Sequence, residues 1–281
     1  MPPFNRALPV RRSAALLALC LLGPAQAHDT WFEPRPSPQP HELHLALGTG
    51  NRFPVMEFPL GIEQLRLSGC RSDTAAPLPL AHDGDETQAL RLRVAQAPSG
   101  GALSCWAQTQ AFDAELTPAL VALYLKEIQA PADVRQAWAE QRAQGRRWTE
   151  RYTKHARIEL PDAAGRLGAA APSGLALDLL LQGAPRTLRA GDTVDLQLLR
   201  DGQPLAGQAL ELHGEHGALG FWRRSDAEGR VRFTLPLAGR WVVRGTELRR
   251  SESADVLWDS RFVTLAFDVG PAAVKTASAR D

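Results

Sequence analysis

The 281-residue chain carries 32 Lys and Arg against 31 Asp and Glu, so its formal net charge is only +1. The two signs are interspersed along the sequence, which argues against a nucleic-acid-binding stripe and against a polybasic membrane patch. After residue 22, no apolar run approaches the roughly 20 residues that a membrane-spanning helix needs. We therefore expect a soluble globular protein that neither binds nucleic acid nor inserts into a membrane.

The first 27 residues have the pattern of a secretory signal peptide. A basic segment precedes an apolar run over 14–22, and the small-x-small triplet Ala25-Gln26-Ala27 follows. Cleavage after Ala27 would deliver a soluble mature chain to the periplasm. Its length would suffice for two domains of about 100–200 residues each.

Cleavage at this site would place His28 at the mature amino terminus. A terminal histidine can chelate a metal ion through its free amine and its imidazole together, which an internal histidine cannot do. A second imidazole nearby would complete the nitrogen-rich arrangement that copper favours, whereas carboxylate or water partners would suit nickel or cobalt. We predict His28 to be the anchor of a metal site.

The region 28–115 is predicted to be an amino-terminal β-sandwich. The stretch after His28 contains several prolines, which predicts an edge strand or a lead-in and not a central strand, because proline donates no ladder hydrogen bond. Short segments with period-two alternation follow, and they indicate antiparallel strands with one buried face. These segments are 44–47, 65–67, 90–94 and 103–107.

Residues 116–160 are predicted to be helical. Thr117-Pro118 is typical of a helix start, with a capping hydroxyl followed by proline at the first helical position. Apolar residues then recur at helical spacing, with breaks expected near Pro131 and Gly145. The stripe Trp148, Tyr152 and Ala156 predicts a further helix with His155 beside it.

The region 161–174 is rich in Ala, Gly and Pro and is interpreted as a linker. From 175 to 270, six or seven strand-like segments alternate with turns such as Asp201-Gly202, which predicts a second sandwich. A disordered tail is expected over 271–281. The predicted fold class is mainly β, with two immunoglobulin-like or transthyretin-like β-sandwich domains and an intervening helical segment.

Two cysteines remain after removal of the signal peptide. Cys70 and Cys105 form an even pair in an oxidising compartment, where a disulfide is the expected state. A thiolate metal pair or a catalytic thiol is the alternative, although neither residue lies in a CxxC or Cys-His context. We predict that the disulfide ties two strands of the first sandwich.

Five stretches of the sequence carry a resemblance to a known family. They are Ala27 to Pro34, Glu150 to Ala156, Gly202 to Gly207, Gly239 to Val243 and Trp258 to Phe267. They resemble an uncharacterised family of bacterial periplasmic proteins, NikM-like, associated with nickel and cobalt uptake. The resemblance covers nearly the whole mature chain.

The resemblance implies a periplasmic component of a metal uptake system that binds nickel or cobalt, with copper as the alternative metal. It also implies a partner, either a membrane metal permease or an outer-membrane receptor. Glu247 occupies a position near which a histidine is often found in the family. Together with the helical stripe, this gives Glu247 and His155 as the expected further ligands beside His28.

Two other functions remain open. The chain could be a structural adaptor that presents its β-modules to a membrane or outer-membrane transporter. It could also be a copper-binding or copper-dependent oxidative protein that uses the terminal histidine. No phosphate-binding loop, GxSxG elbow or HExxH pair is present, so the sequence itself nominates no catalytic residue.

Overall fold

The computed structural model describes residues 28–39, 41–72, 76–97, 100–168, 170–183, 186–217 and 220–273. The predicted signal peptide and the part of the predicted tail from residue 274 onward lie outside these ranges. Seventeen strands and two α-helices are described, and neither helix is long and apolar enough to cross a membrane. The prediction of a mainly β chain with sandwich packing is confirmed.

The amino-terminal half contributes eight strands and both helices. The strands are β1 (Asp29–Arg35), β2 (Leu43–Gly50), β3 (Phe58–Pro59), β4 (Leu65–Ser72), β5 (Ala81–Asp85), β6 (Leu90–Val94), β7 (Leu103–Thr109) and β8 (Phe112–Leu116). The helices are α1 (Pro118–Glu127) and α2 (Ala132–Ala143). Helix α1 begins where predicted, because the Thr117 hydroxyl accepts a hydrogen bond from the Leu120 amide at 3.4 Å.

The remaining strands belong to the carboxy-terminal half. They are β9 (Trp148–Leu160), β10 (Leu177–Leu181), β11 (Thr193–Arg200), β12 (Gln203–Pro204), β13 (Ala209–Gly214), β14 (Phe221–Arg224), β15 (Arg230–Thr234), β16 (Gly239–Arg250) and β17 (Trp258–Val269). The prediction of a helix over 148–160 is wrong, since this segment is the 13-residue strand β9. Strand β9 pairs in parallel with β17 and antiparallel with β7.

The strands form three sheets, of which the largest has eight strands in the order β14-β13-β16-β17-β9-β7-β4, with β8 beside β9. We call it the central sheet. One smaller sheet contains β1, β2, β3, β5 and β6, and the other contains β10, β11, β12 and β15. Each smaller sheet packs on a different face of the central sheet. Successive side chains of a strand point to opposite faces, so one central strand can contribute to both cores.

Strand β17 illustrates this arrangement. Ala266 lies in the apolar core beneath the β1 sheet, whereas its neighbour Leu265 lies in the core shared with the β10 sheet. We call these two surfaces of the central sheet the amino face and the carboxy face. Helices α1 and α2 cover another part of the amino face, where their buried residues meet Trp148, Trp258 and Phe262.

The domain prediction therefore needs correction in two places. The two sandwiches share the central sheet, so the helical segment does not separate two independent cores. The predicted linker over 161–174 also contributes to packing, since Leu167 is buried in the core of the second sandwich. In addition, the carbonyl of Ala171 accepts a hydrogen bond from the buried Arg157 at 3.0 Å.

The predicted disulfide is confirmed. Cys70 on β4 and Cys105 on β7 lie directly opposite each other, with their Cα atoms 4.0 Å apart, and both are fully buried. The bond joins neighbouring strands of the central sheet under the β1 sheet. Both residues belong to the first sandwich, as predicted.

Candidate functional site

Strand β1, which carries the residues next to the predicted metal anchor, is fixed against the central sheet by polar contacts. Asp29 accepts a hydrogen bond from Arg244 of β16 at 2.5 Å. The carbonyl of Thr30 accepts one from the hydroxyl of Thr264 at 2.5 Å. Farther along, Glu33 pairs with Arg240 at 3.3 Å. Each partner lies more than two hundred residues away in the sequence, so the position of β1 depends on the complete fold.

His28 immediately precedes β1 and is partly buried. Its ring meets the ring of Phe58 edge-on, with centroids 5.0 Å apart. Its carbonyl accepts a hydrogen bond from the Lys154 ammonium at 2.9 Å. Burial lowers the pKa of the imidazole, as does the charge of Lys154, while the carboxylates of Glu57 and Asp29 act in the opposite direction. The net effect favours the neutral imidazole, which is the form that can bind a metal ion.

Lys154 is an unexpected member of this site. It lies on β9 and reaches His28 across the amino face, with its ammonium 5.9 Å from the centroid of the Tyr152 ring. Burial lowers the pKa of Lys154 to about 8, and the charge of Asp29 opposes that shift only in part. Sequence reasoning missed this residue, because a helix over 148–160 gave no reason to bring it to the terminus.

The structure separates the three predicted ligands. On β9, Lys154 contacts His28 on the amino face, so the neighbouring His155 points to the carboxy face. Glu247 also points to the carboxy face, since it lies opposite Arg261, two residues from Val263 in the second core. His28 therefore does not form one site with His155 and Glu247. Within the ranges given above, no three His, Cys, Asp or Glu residues come together in an arrangement that could hold a metal ion.

His155 and Glu247 each have a local structural partner. His155 is 1% exposed, and its Nδ1 makes a 2.8 Å hydrogen bond with the carbonyl of Phe262. Glu247 accepts a 2.9 Å hydrogen bond from Arg200. The His155 Nε2 and the second carboxylate oxygen of Glu247 are buried without a partner among the described residues.

We expect His155 to make the fold sensitive to acid. Burial lowers its pKa to about 4 from the ordinary histidine value of 6.5, so between these pH values the unfolded chain binds a proton that the native chain does not. Stability therefore falls as the pH drops through this window, and the contribution of His155 between pH 7 and pH 4 is about 3 kcal/mol. Denaturant unfolding of wild type and His155→Gln at several pH values measures this contribution. The free energy of unfolding should change less steeply with pH in His155→Gln than in wild type. The exposed His82→Gln is the control, and identical pH profiles for wild type and His155→Gln would contradict the assignment.

Two adjoining cavities lie beside β1 on the amino face. The larger, about 590 Å³, lies between α1 and the central sheet. The smaller, about 320 Å³, is lined by Trp31, Phe53, His213 and Val242, among others. Asp29, Asn51 and Arg244 line both cavities.

Arg244 is the main charged group between the two cavities. Its Nε donates to Glu211 at 2.6 Å and its Nη1 donates to Asp29 at 2.5 Å. Although burial acts against the charged form, these two carboxylates raise the pKa of Arg244, so the guanidinium stays charged. The period-two alternation of β13 and β16 could have predicted that Glu211 and Arg244 point to one face of the sheet. It could not have predicted that β1, with Asp29, lies opposite them.

His213 lies on β13 and is 9% exposed. Burial is the largest cause that lowers the pKa of its imidazole, and the charge of Arg244 lowers it further. Its Nδ1 is buried without a partner in the part of the chain that the structure describes. His213 is thus a neutral imidazole in the cavity wall with an unused hydrogen-bonding atom.

Comparisons with known proteins give one family match. A family model matches residues 25–246, a range that includes His28, Asp29, His213 and Arg244 and ends just before Glu247. No curated protein matches the chain.

Two solved structures align over most of the chain with little similarity. A chimeric titin Z1Z2 tandem that carries a fibronectin-derived peptide is 13% identical, covers 84% of this chain and 93% of its own, and has a TM-score of 0.18. Native alpha-2-macroglobulin from Escherichia coli, spanning domains MG0-NIE-MG1, is 10% identical, covers 80% and 94%, and has a TM-score of 0.20. At these TM-scores, neither match supports an inference about fold or function.

Proposed function

Because the chain belongs to the family described as “Domain of unknown function (DUF4198)”, a description that names neither a metal nor a transport process, we propose a function from the site itself. The protein is an exported periplasmic component of a nickel or cobalt uptake system. It binds the divalent metal ion as cargo through the free amine and the imidazole of His28. The resemblance to NikM-like proteins and the predicted cleavage after Ala27 are both parts of this proposal.

The observation that carries the proposal is the way His28 is held. Lys154 donates to the carbonyl of His28, and that oxygen is not needed by a chelate through the amine and the imidazole. The residue is therefore fixed by an atom that leaves both nitrogen ligands available. The lowered pKa of the imidazole favours the neutral, metal-binding form near pH 7.

A carboxylate near His28 also supports cation binding. Glu57 acts on the imidazole by charge, against the larger effect of Lys154. Glu57 is positioned by Asn51, whose backbone amide and side-chain amide donate to it at 2.9 and 2.8 Å. Carboxylate surroundings suit nickel or cobalt, whereas a copper brace needs a second imidazole. Since His155 lies on the carboxy face, it gives no support to a copper-dependent oxidative function.

Adding one alanine before His28 should weaken nickel binding at least tenfold, because the amine is then removed from the chelate ring while the fold stays intact. Isothermal titration with nickel and cobalt, on protein whose amino terminus is verified by mass, measures this. His28→Ala should have a similar effect through the imidazole. His41→Ala is the control, because it leaves the terminus unchanged.

Equal nickel and cobalt binding by the native and extended forms would reject the terminal site. The second candidate, an adaptor that docks on a membrane permease or an outer-membrane receptor, would then be the better function. One observation favours it. Val55, Phe58 and Ile62 are exposed apolar residues on one segment, and Phe58 lies against His28. Exposed apolar groups of this kind are typical of surfaces that meet another protein.

A further inference from the structure

The smaller cavity beside β1 is lined by two residues that each have a buried ring nitrogen for which no partner is described. Trp31, 1% exposed, has its indole N–H buried without an acceptor among the described residues. The Nδ1 of His213 is in the same state. Both residues line this cavity. A buried polar group without a partner costs free energy, so a ligand that satisfies both groups would be bound favourably.

One charged group in the cavity wall, Arg52, is available to an anion. Its lining contains two guanidinium groups, Arg52 and Arg244, and one carboxylate, Asp29. Asp29 is already paired with Arg244, which also binds Glu211. Arg52 makes no ion pair with any residue described in the structure, and its charge acts on His213. Among the described residues, Arg52 is therefore the cation of the cavity wall that is not already paired with a carboxylate.

Apart from Asn51, the rest of the wall is apolar. The ring of Trp31 meets Phe53 edge-on with centroids 5.6 Å apart, and Val242 belongs to the same cluster. An apolar wall offers no polar partner to a bare inorganic anion, but it can pack against a short hydrocarbon chain.

We propose that this cavity is a binding site for a small organic carboxylate. The carboxylate pairs with Arg52 and accepts hydrogen bonds from the Trp31 indole N–H and from His213 in its Nδ1–H tautomer. The hydrocarbon part of the ligand packs against Phe53 and Val242. This site is separate from the terminal chelate and does not depend on the metal proposal.

Titration calorimetry with succinate tests the proposal. The controls for the ligand are sulfate, which has charge without a carbon chain, and 1,4-butanediol, which has the same carbon chain without charge. We expect saturable binding of succinate, weaker binding of sulfate and no binding of butanediol. Sulfate binding as tight as that of succinate would overturn the assignment of a carboxylate.

Two variants locate the site, each with a matched control. Trp31→Phe removes the indole N–H and keeps an aromatic ring, and Arg52→Gln removes the charge of an exposed residue. Each should weaken succinate binding about tenfold, because charge-assisted hydrogen bonds are lost. Trp106→Phe, at another buried tryptophan whose N–H has no partner among the described residues, and Arg66→Gln, at another exposed arginine, should bind as wild type. No binding by wild type at millimolar succinate, or equal binding by all variants, would overturn the proposal.

Discussion

Replacing Arg157 by methionine should destabilise the fold by about 3–5 kcal/mol, because it leaves buried carboxylates without their cation. Arg157 is 1% exposed and donates to Glu159 at 2.8 Å and to Asp178 at 3.0 Å. Both carboxylates are also buried, and burial raises the pKa of Glu159 despite the neighbouring guanidinium. The group joins β9 to β10, so its loss weakens the contact between the central sheet and the second sandwich.

Denaturant unfolding at pH 7 measures this effect. The matched control is Arg151→Met, on the same face of the same strand, where the ion pair with Asp113 is exposed and its loss should have little effect. A triple variant that also carries Glu159→Gln and Asp178→Asn should recover part of the lost stability, since no buried charge is left unpaired. Equal stability of the Arg157→Met and Arg151→Met proteins would show that the buried network does not stabilise the fold.

Removing the disulfide should cost about as much. Cys70 and Cys105 are 35 residues apart, and closing a loop of this length lowers the entropy of the unfolded chain by an amount worth about 4 kcal/mol. The double variant Cys70→Ala with Cys105→Ala should therefore unfold at a clearly lower denaturant concentration than oxidised wild type. Reduced wild type should behave like the variant, because it has lost the same constraint. Two free thiols in unreduced native protein would contradict the bond itself.

The sequence predicted much of the strand pattern, and the main error has a physical cause. Positions i and i+4 lie on the same side of a helix and also on the same side of a strand. The spacing of Trp148, Tyr152 and Ala156 therefore fits both structures. The segment also carries polar residues that a buried strand would not be expected to contain. Glu150 is one of them, and it is accommodated because Tyr124, Trp148 and Ser260 all donate to it.

The candidate site was predictable only at the level of single residues. His28 is nominated by the predicted cleavage site, and the proline-containing stretch after it is predicted to be an edge strand or a lead-in, in agreement with the position of β1 at the edge of its sheet. The contact between His28 and Lys154 spans 126 residues and depends on the parallel pairing of β9 with β17. Local spacing contains no information about such pairing. His155 and Glu247 were assigned to the terminus without knowledge of the face on which each would lie.

The shared central sheet also constrains the order in which the chain can fold during synthesis. Strand β17 lies between β16 and β9, and its Ala266 belongs to the core of the first sandwich. A ribosome produces the residues of that sandwich first, and β4, β7 and β9 supply most of the wall of its core, but the place of Ala266 is empty until β17 has emerged. Many multidomain chains fold one domain after another during synthesis. In this protein we expect the first sandwich to complete its packing only when β17, which also belongs to the second core, is made.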